Sequence, residues 1–141
     1  MKIHHIGYLV DNIENAANEF ERLGFSRMGK SVEDCSRQVN ILFLDNASHV
    51  IELIQPVSKA SSVYGLRKKY RNSPYHICYE TNDIQNQIAN MTNSDGGYII
   101  IQSVQKAPAI PGCPDVAFLL NGDIGMIELV QSNKVNSNEN Y

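Results

Sequence analysis

The sequence predicts an α+β fold made of two tandem βαβββ modules, on three observations. The first half shows strand, helix and three strand patterns in that order. The second half shows the same order again. Sliding one half onto the other superposes polar residues as well as apolar ones.

In the first half, residues 3–10 (IHHIGYLV) are β-branched and aromatic and read as a strand. Asp11 and Asn12 offer side-chain oxygens that cap a helix. Residues 12–23 carry Ile13, Ala16, Ala17, Phe20 and Leu23 at spacings of three and four, an amphipathic helix that Gly24 can end. Phe25–Gly29 begins a short strand, and 37–45 (RQVNILFLD) is a clearer one. Glu33 and Asp34 are expected in a loop between them. A turn at Asn46-Ala47-Ser48 leads into 49–55 (HVIELIQ), a strand closed by Pro56.

Residues 57–73 are polar and basic, and read as a linker with a short helix. Their RKKYR cluster at 67–71 reads as a solvated face, although Lys68, Lys69 and Arg71 could attract a phosphate. The second half then runs strand 74–81, cap Asn82-Asp83, helix 84–92 with Ile84, Ile88 and Met91 as its stripe, and strands 98–105, 115–120 and 125–131. One domain over residues 1–131 is expected, with modules 3–56 and 74–131. The polar tail 132–141 lacks an apolar period, which predicts disorder.

A forward shift of 71 residues carries His5 onto His76, Ile6 onto Ile77, Tyr8 onto Tyr79 and Ile13 onto Ile84. A shift of 76 carries IELIQ (51–55) onto IELVQ (127–131), and so Glu52 onto Glu128. The five-residue difference fits the Pro-rich loop around Pro108, Pro111 and Pro114. Apolar positions match easily between any two buried strands, so the polar matches carry the information.

Within I-E-L-[IV]-Q the Glu points opposite to its two apolar neighbours. On the inner side of a curved sheet such a carboxylate is desolvated and needs a counter-charge. Two-fold pseudo-symmetry predicts one cavity between the modules, shared by His5, Glu52, His76 and Glu128. Two imidazoles and two carboxylates suit a divalent cation such as Zn, Mn, Co, Ni or Fe. His4 points away from His5 by strand alternation, and His49 has no histidine equivalent, so both are expected to be structural or surface groups.

Composition narrows the function. The 141 residues are 43% hydrophobic and 19% charged, with a net charge of -3, which gives no basic footprint for nucleic acid. Cys35, Cys78 and Cys113 are scattered without C-x-x-C spacing, which argues against a disulfide framework and for a reducing compartment. The N-terminus lacks the apolar run of a signal peptide, and no stretch has the length of a membrane span, so a cytoplasmic location is expected.

His5-Ile6-Gly7, His76-Ile77 and Ile127-Glu128-Leu129 resemble the vicinal oxygen chelate superfamily, which includes glyoxalase I, bleomycin-resistance proteins and extradiol dioxygenases. The resemblance spans about residues 3–131 and is closest to methylmalonyl-CoA epimerase, on HHIGYLVDNIENA, IELIQPVSKASSV, YHICYETNDI and VAFLLNGDIGMIELVQ. It implies curved sheets around a central metal cavity, with His5, Glu52, His76 and Glu128 as ligands. It also implies a homodimer and proton abstraction α to a thioester carbonyl, with Glu128 as one catalytic group.

That chemistry needs a base on each side of the carbon. By alignment with VNILFLD, the family's second glutamate falls at Asn40, which cannot accept a proton usefully. The turn NGDIG and the loop PAIPGCP also depart from the family, where substrate would be gripped. An acyl-CoA or carrier-protein thioester is the implied substrate. A glyoxalase-like reaction on another small carbonyl compound, or a non-catalytic small-molecule-binding module, is the alternative.

Overall fold

A computed structural model describes residues 1–132 of the chain. Two compact units are present: His4–Cys78, and Tyr79 onward together with Met1–Ile3. The expected tail, apart from Ser132, lies outside the described residues.

The first unit contains β1 (Ile3–Leu9, from His4), α1 (Ile13–Arg22), β2 (Ser26–Arg27), β3 (Val32–Asp34), β4 (Val39–Asp45) and β5 (Val50–Pro56). A 3₁₀ turn (Tyr64–Leu66), the short α2 (Arg67–Tyr70) and the start of β6 (Ser73–Thr81) follow. Its strand order is β2-β4-β5-β1-β6, with β3 also paired to β4. β1 and β5 run parallel, while β4 and β5 form an antiparallel hairpin. A boundary inside β6 leaves Ser73–Cys78 with the first unit, beside β1.

α1 forms where the apolar spacing predicts it. Asn12 caps it, its side chain accepting from the Asn15 amide at 2.9 Å. At the other end Gly24 takes φ of 95°, which lets the Phe25 amide reach the Phe20 carbonyl and the Gly24 amide reach that of Glu21. This αL exit satisfies carbonyls that would otherwise lack partners. It also leaves Leu23 outside the apolar stripe, 73% exposed rather than packed. Ile13 and Ala17 lie against Val10, Leu42, Leu44, Ile51 and Leu53, which form one core cluster.

The segment expected as a loop at Glu33 and Asp34 is a strand instead. β3 pairs antiparallel with β4, placing Val32 opposite Ile41, Glu33 opposite Asn40 and Asp34 opposite Val39. Three residues are too few to show a period, so backbone pairing with β4 defines this element rather than its own pattern.

In the second unit, the end of β6 leads to α3 (Ile84–Thr92), β7 (Tyr98–Lys106), β8 (Asp115–Asn121) and β9 (Gly125–Gln131). The strands β7, β8 and β9 are antiparallel neighbours in that order. Asp83 caps α3 by accepting from the Asn86 amide at 3.1 Å. Ile84 and Ile88 pack on Ala117, Leu119, Ile127 and Leu129. Both units thus share one plan, in which a helix covers one face of a sheet and the Glu of I-E-L-[IV]-Q lies on the other. Among the described residues no helix is long and apolar enough to cross a membrane.

Candidate metal centre

β1 and β5 pair in parallel with Gly7 opposite Glu52, so His5, Gly7, Leu9, Glu52 and Ile54 share one face of the first unit's sheet. The other face, with Ile6, Tyr8, Ile51 and Leu53, packs under α1. Burial on both faces explains why Glu52 is desolvated: it is 5% exposed, and His5 and His76 are 0% and 3%. A carboxylate this deep requires compensation.

Two histidine nitrogens are drawn up against it. His5 Nε2 lies 3.4 Å from Glu52 Oε1, His76 Nε2 lies 3.6 Å from the same oxygen, and the two Nε2 atoms are 3.3 Å apart. These lengths are long for hydrogen bonds, which cluster near 2.9 Å. They match the spacing between donor atoms that share one tetrahedral ion at roughly 2.0–2.2 Å, which is about 3.3–3.6 Å. Three donors therefore converge as ligands would, and the donor set fits a borderline divalent cation.

Neighbours set each imidazole. The His5 ring meets Phe43 edge to face at 5.4 Å, and the His76 ring meets Tyr75 at 4.5 Å. His76 lies so close to β1 that a Cβ at position 7 would overlap its ring. Gly7 is thus required by close approach rather than by a turn. His4 is a structural group of the kind expected, with a half-buried ring whose Nδ1 is 2.8 Å from His5 Nδ1. His49 is exposed at the β4–β5 turn, as expected.

In the second unit Glu128 is 1% exposed on β9. It lies directly opposite Phe118, just as Glu52 lies opposite Phe43. The two glutamates therefore occupy the same strand, face and cross-strand environment in their own modules. A further equivalence escaped the sequence reading. Gln55 Oε1 accepts from the Ile13 amide and Gln131 Oε1 from the Ile84 amide, each at 2.9 Å. The repeated Gln was legible as a match, but its role as a helix-terminus acceptor was not.

Asn40 does not face Glu52. It lies opposite Gln55, on the α1 side of the sheet, and the Glu52 side of β4 carries Val39, Ile41, Phe43 and, at its end, Asp45. Asp34 is on the Glu52 side and 1% exposed, but its Oδ1 accepts from the Ser36 amide, the Ser36 hydroxyl and the Arg37 amide. That carboxylate holds the β3–β4 turn.

The basic cluster is not wholly a solvated face. Arg67 and Arg71 both bond Asp11, whose carboxyl is held below its usual range chiefly by the Arg71 guanidinium, with Arg67 and Asn72 adding to the effect. Lys68 and Lys69 remain exposed.

The sequence profile of the Glyoxalase/Bleomycin resistance protein/Dioxygenase superfamily matches residues 4–118. The chain belongs to this superfamily. An ethylmalonyl-CoA/methylmalonyl-CoA epimerase of Cereibacter sphaeroides is 27% identical over 84 residues, which are 59% of this chain and 63% of that protein. A hypothetical protein from Bacillus halodurans C-125 superposes with a TM-score of 0.81 at 23% identity, covering 94% of this chain and 95% of its own. The methylmalonyl-CoA epimerase of Mycobacterium tuberculosis gives 0.77 at 16% identity, covering 92% and 86%. The mixed sheet with few helices of this chain matches the fold of these structures.

Proposed function

We propose that this chain is a divalent-metal-dependent epimerase or isomerase acting on an acyl thioester, with exchange of the proton α to the thioester carbonyl. The convergence of His5 Nε2, His76 Nε2 and Glu52 Oε1 within 3.3–3.6 Å of one another carries the reading. Glu128 is read as the fourth ligand, supported by its equivalence to Glu52 in strand, face and phenylalanine partner. A CoA or carrier-protein thioester is supported by the epimerase named above. We include a homodimer in this reading, on the superfamily resemblance alone.

When bound, a divalent cation supplies Lewis-acid polarisation of the substrate carbonyl oxygen. The chain's own groups do the rest. His5 and His76 present neutral nitrogen donors, and Glu52 provides the charge that balances a cation in a buried place. Leu9, Ile41, Phe43 and Ile54 give the ligand face an apolar wall that excludes water and strengthens local electrostatics. Glu128, buried on β9, is the proton acceptor in this reading.

Loading apo protein with Zn, Mn, Co, Ni or Fe and incubating methylmalonyl-CoA in D₂O tests the proposal. Exchange at the α-carbon with inversion of configuration is expected. Absence of exchange with every metal, in protein shown to be folded and loaded, overturns it.

One observation favours a second reading. An epimerisation needs a second base, and the Glu52 side of β4 carries Val39, Ile41 and Phe43, with its one carboxylate, Asp45, at the strand's end opposite Val50 and paired with Ser26 of β2. An isomerisation in which one carboxylate takes and returns the proton needs Glu128 alone. Exchange with retained configuration would show this one-base chemistry, and metal-dependent turnover of another small carbonyl compound would select the glyoxalase-like reaction.

A further inference from the structure

His5 has two ring nitrogens with different surroundings. Nε2 faces Glu52 and His76, while Nδ1 lies 2.8 Å from His4 Nδ1. At that distance the two Nδ1 atoms share one proton, because a pair of lone pairs or a pair of N–H groups would repel. We infer that His4 is a positioning residue for the metal centre: it accepts the His5 Nδ1–H and so keeps the His5 Nε2 lone pair directed at the cation.

The inference rests on the metal reading of the site and adds a group to it. A ligand nitrogen must be unprotonated, so His5 must carry its proton on Nδ1. His4 Nδ1 then accepts, and His4 holds its own proton on Nε2.

Geometry supports this over simple packing. The His4 and His5 rings stand at 79° with centroids 5.1 Å apart, which brings the two nitrogens together edge on. His5 is fully buried, so bulk water does not replace that acceptor. Phe43 flanks the His5 ring through apolar atoms and cannot select a tautomer. The equivalent of His4 in the other module is Tyr75, which meets His76 through its ring at 4.5 Å. The two histidines are thus supported by different chemistry despite the repeat.

The test uses the full chain with Zn²⁺ alone, its affinity measured by chelator competition. His4→Phe keeps an aromatic ring but removes the acceptor, and is expected to weaken Zn²⁺ binding about 10- to 100-fold. His4→Asp offers a carboxylate to the same N–H and should restore affinity to near the parent value. Thermal midpoints in chelator show whether each variant folds. In the Zn²⁺-loaded parent, ¹⁵N NMR should show His5 protonated at Nδ1.

Parent-like affinity in His4→Phe overturns the role of His4 and leaves the metal reading standing. So does a His5 found unprotonated at Nδ1, which needs no variant to fold. A parent that binds no Zn²⁺ overturns both.

Discussion

Gly7 and His76 show how closely one residue can govern the candidate centre. The His76 imidazole occupies the space where a Cβ at position 7 would lie. In Gly7→Ala the ring must shift, or β1 must. Overpacking of this kind costs roughly 1–3 kcal/mol. The displaced donor should lower α-proton exchange by about 100-fold, as expected for a misplacement near 1 Å. Thermal melting in chelator and exchange in saturating metal separate the two effects.

The glutamates should separate as well. Glu52→Gln removes the balancing charge and is expected to weaken metal affinity by at least about 10-fold, by comparison with outer-partner losses. Glu128→Gln should reduce exchange by about 100-fold or more in metal-saturated protein, because the proton acceptor is gone. Parent-like exchange in Glu128→Gln would remove it from the proposed mechanism. At this scale the four residues were legible because polar identities recur at two shifts of the sequence. Asn40 was misread because an alignment does not show which way a strand residue faces. That depends on its register with Gln55.

Between elements, the two modules repeat a detail that stabilises their helices. Gln55 and Gln131 each give an oxygen to the first amide of a helix, beside the caps Asn12 and Asp83. Gln55→Leu leaves the Ile13 amide without this acceptor and should cost about 0.5–1.5 kcal/mol in urea denaturation. Gln131→Leu should cost a similar amount through Ile84. Edge strands differ more. β2 and β3 together cover the length of β4 with a break between them, whereas β7 is continuous but bulged between Ile100 and Gln102 and again before Gln105.

Asp11 ties the β1–α1 corner to Arg67 and Arg71 of the linker. Its carboxyl is held below the ordinary 3.8, chiefly by hydrogen bonding to Arg71. A lowered folded-state value means the stabilisation is present above pH 3.8 and is lost as pH falls through that lower value. Asp11→Asn should therefore flatten the acid limb of the stability profile below about pH 4. Its effect at neutral pH should be no more than about 1 kcal/mol, because the group is partly solvated. Equilibrium unfolding at pH 3 and pH 7 measures both.

For the molecule as a whole, metal and folding are linked if the ligands meet only in the native state. Metal at about 100 times its dissociation constant should add about 2.7 kcal/mol to stability. A chain of this size should then melt about 10 °C lower in chelator. An unchanged midpoint with bound metal would mean that the ligands persist together in the unfolded chain.

The sequence by itself determined the two-module plan, the helix caps and the identity of four buried polar residues, His5, Glu52, His76 and Glu128. Those features follow from side-chain periodicity and from polar groups recurring at fixed separations. Tertiary structure decided that Glu33 and Asp34 form a strand, that Asn40 turns toward α1, and that His4 meets the His5 ring. It also decided that Gly7 makes room for His76. Each of these depends on a partner distant in the chain or on the direction of a side chain. The spacing of residues along the chain records neither.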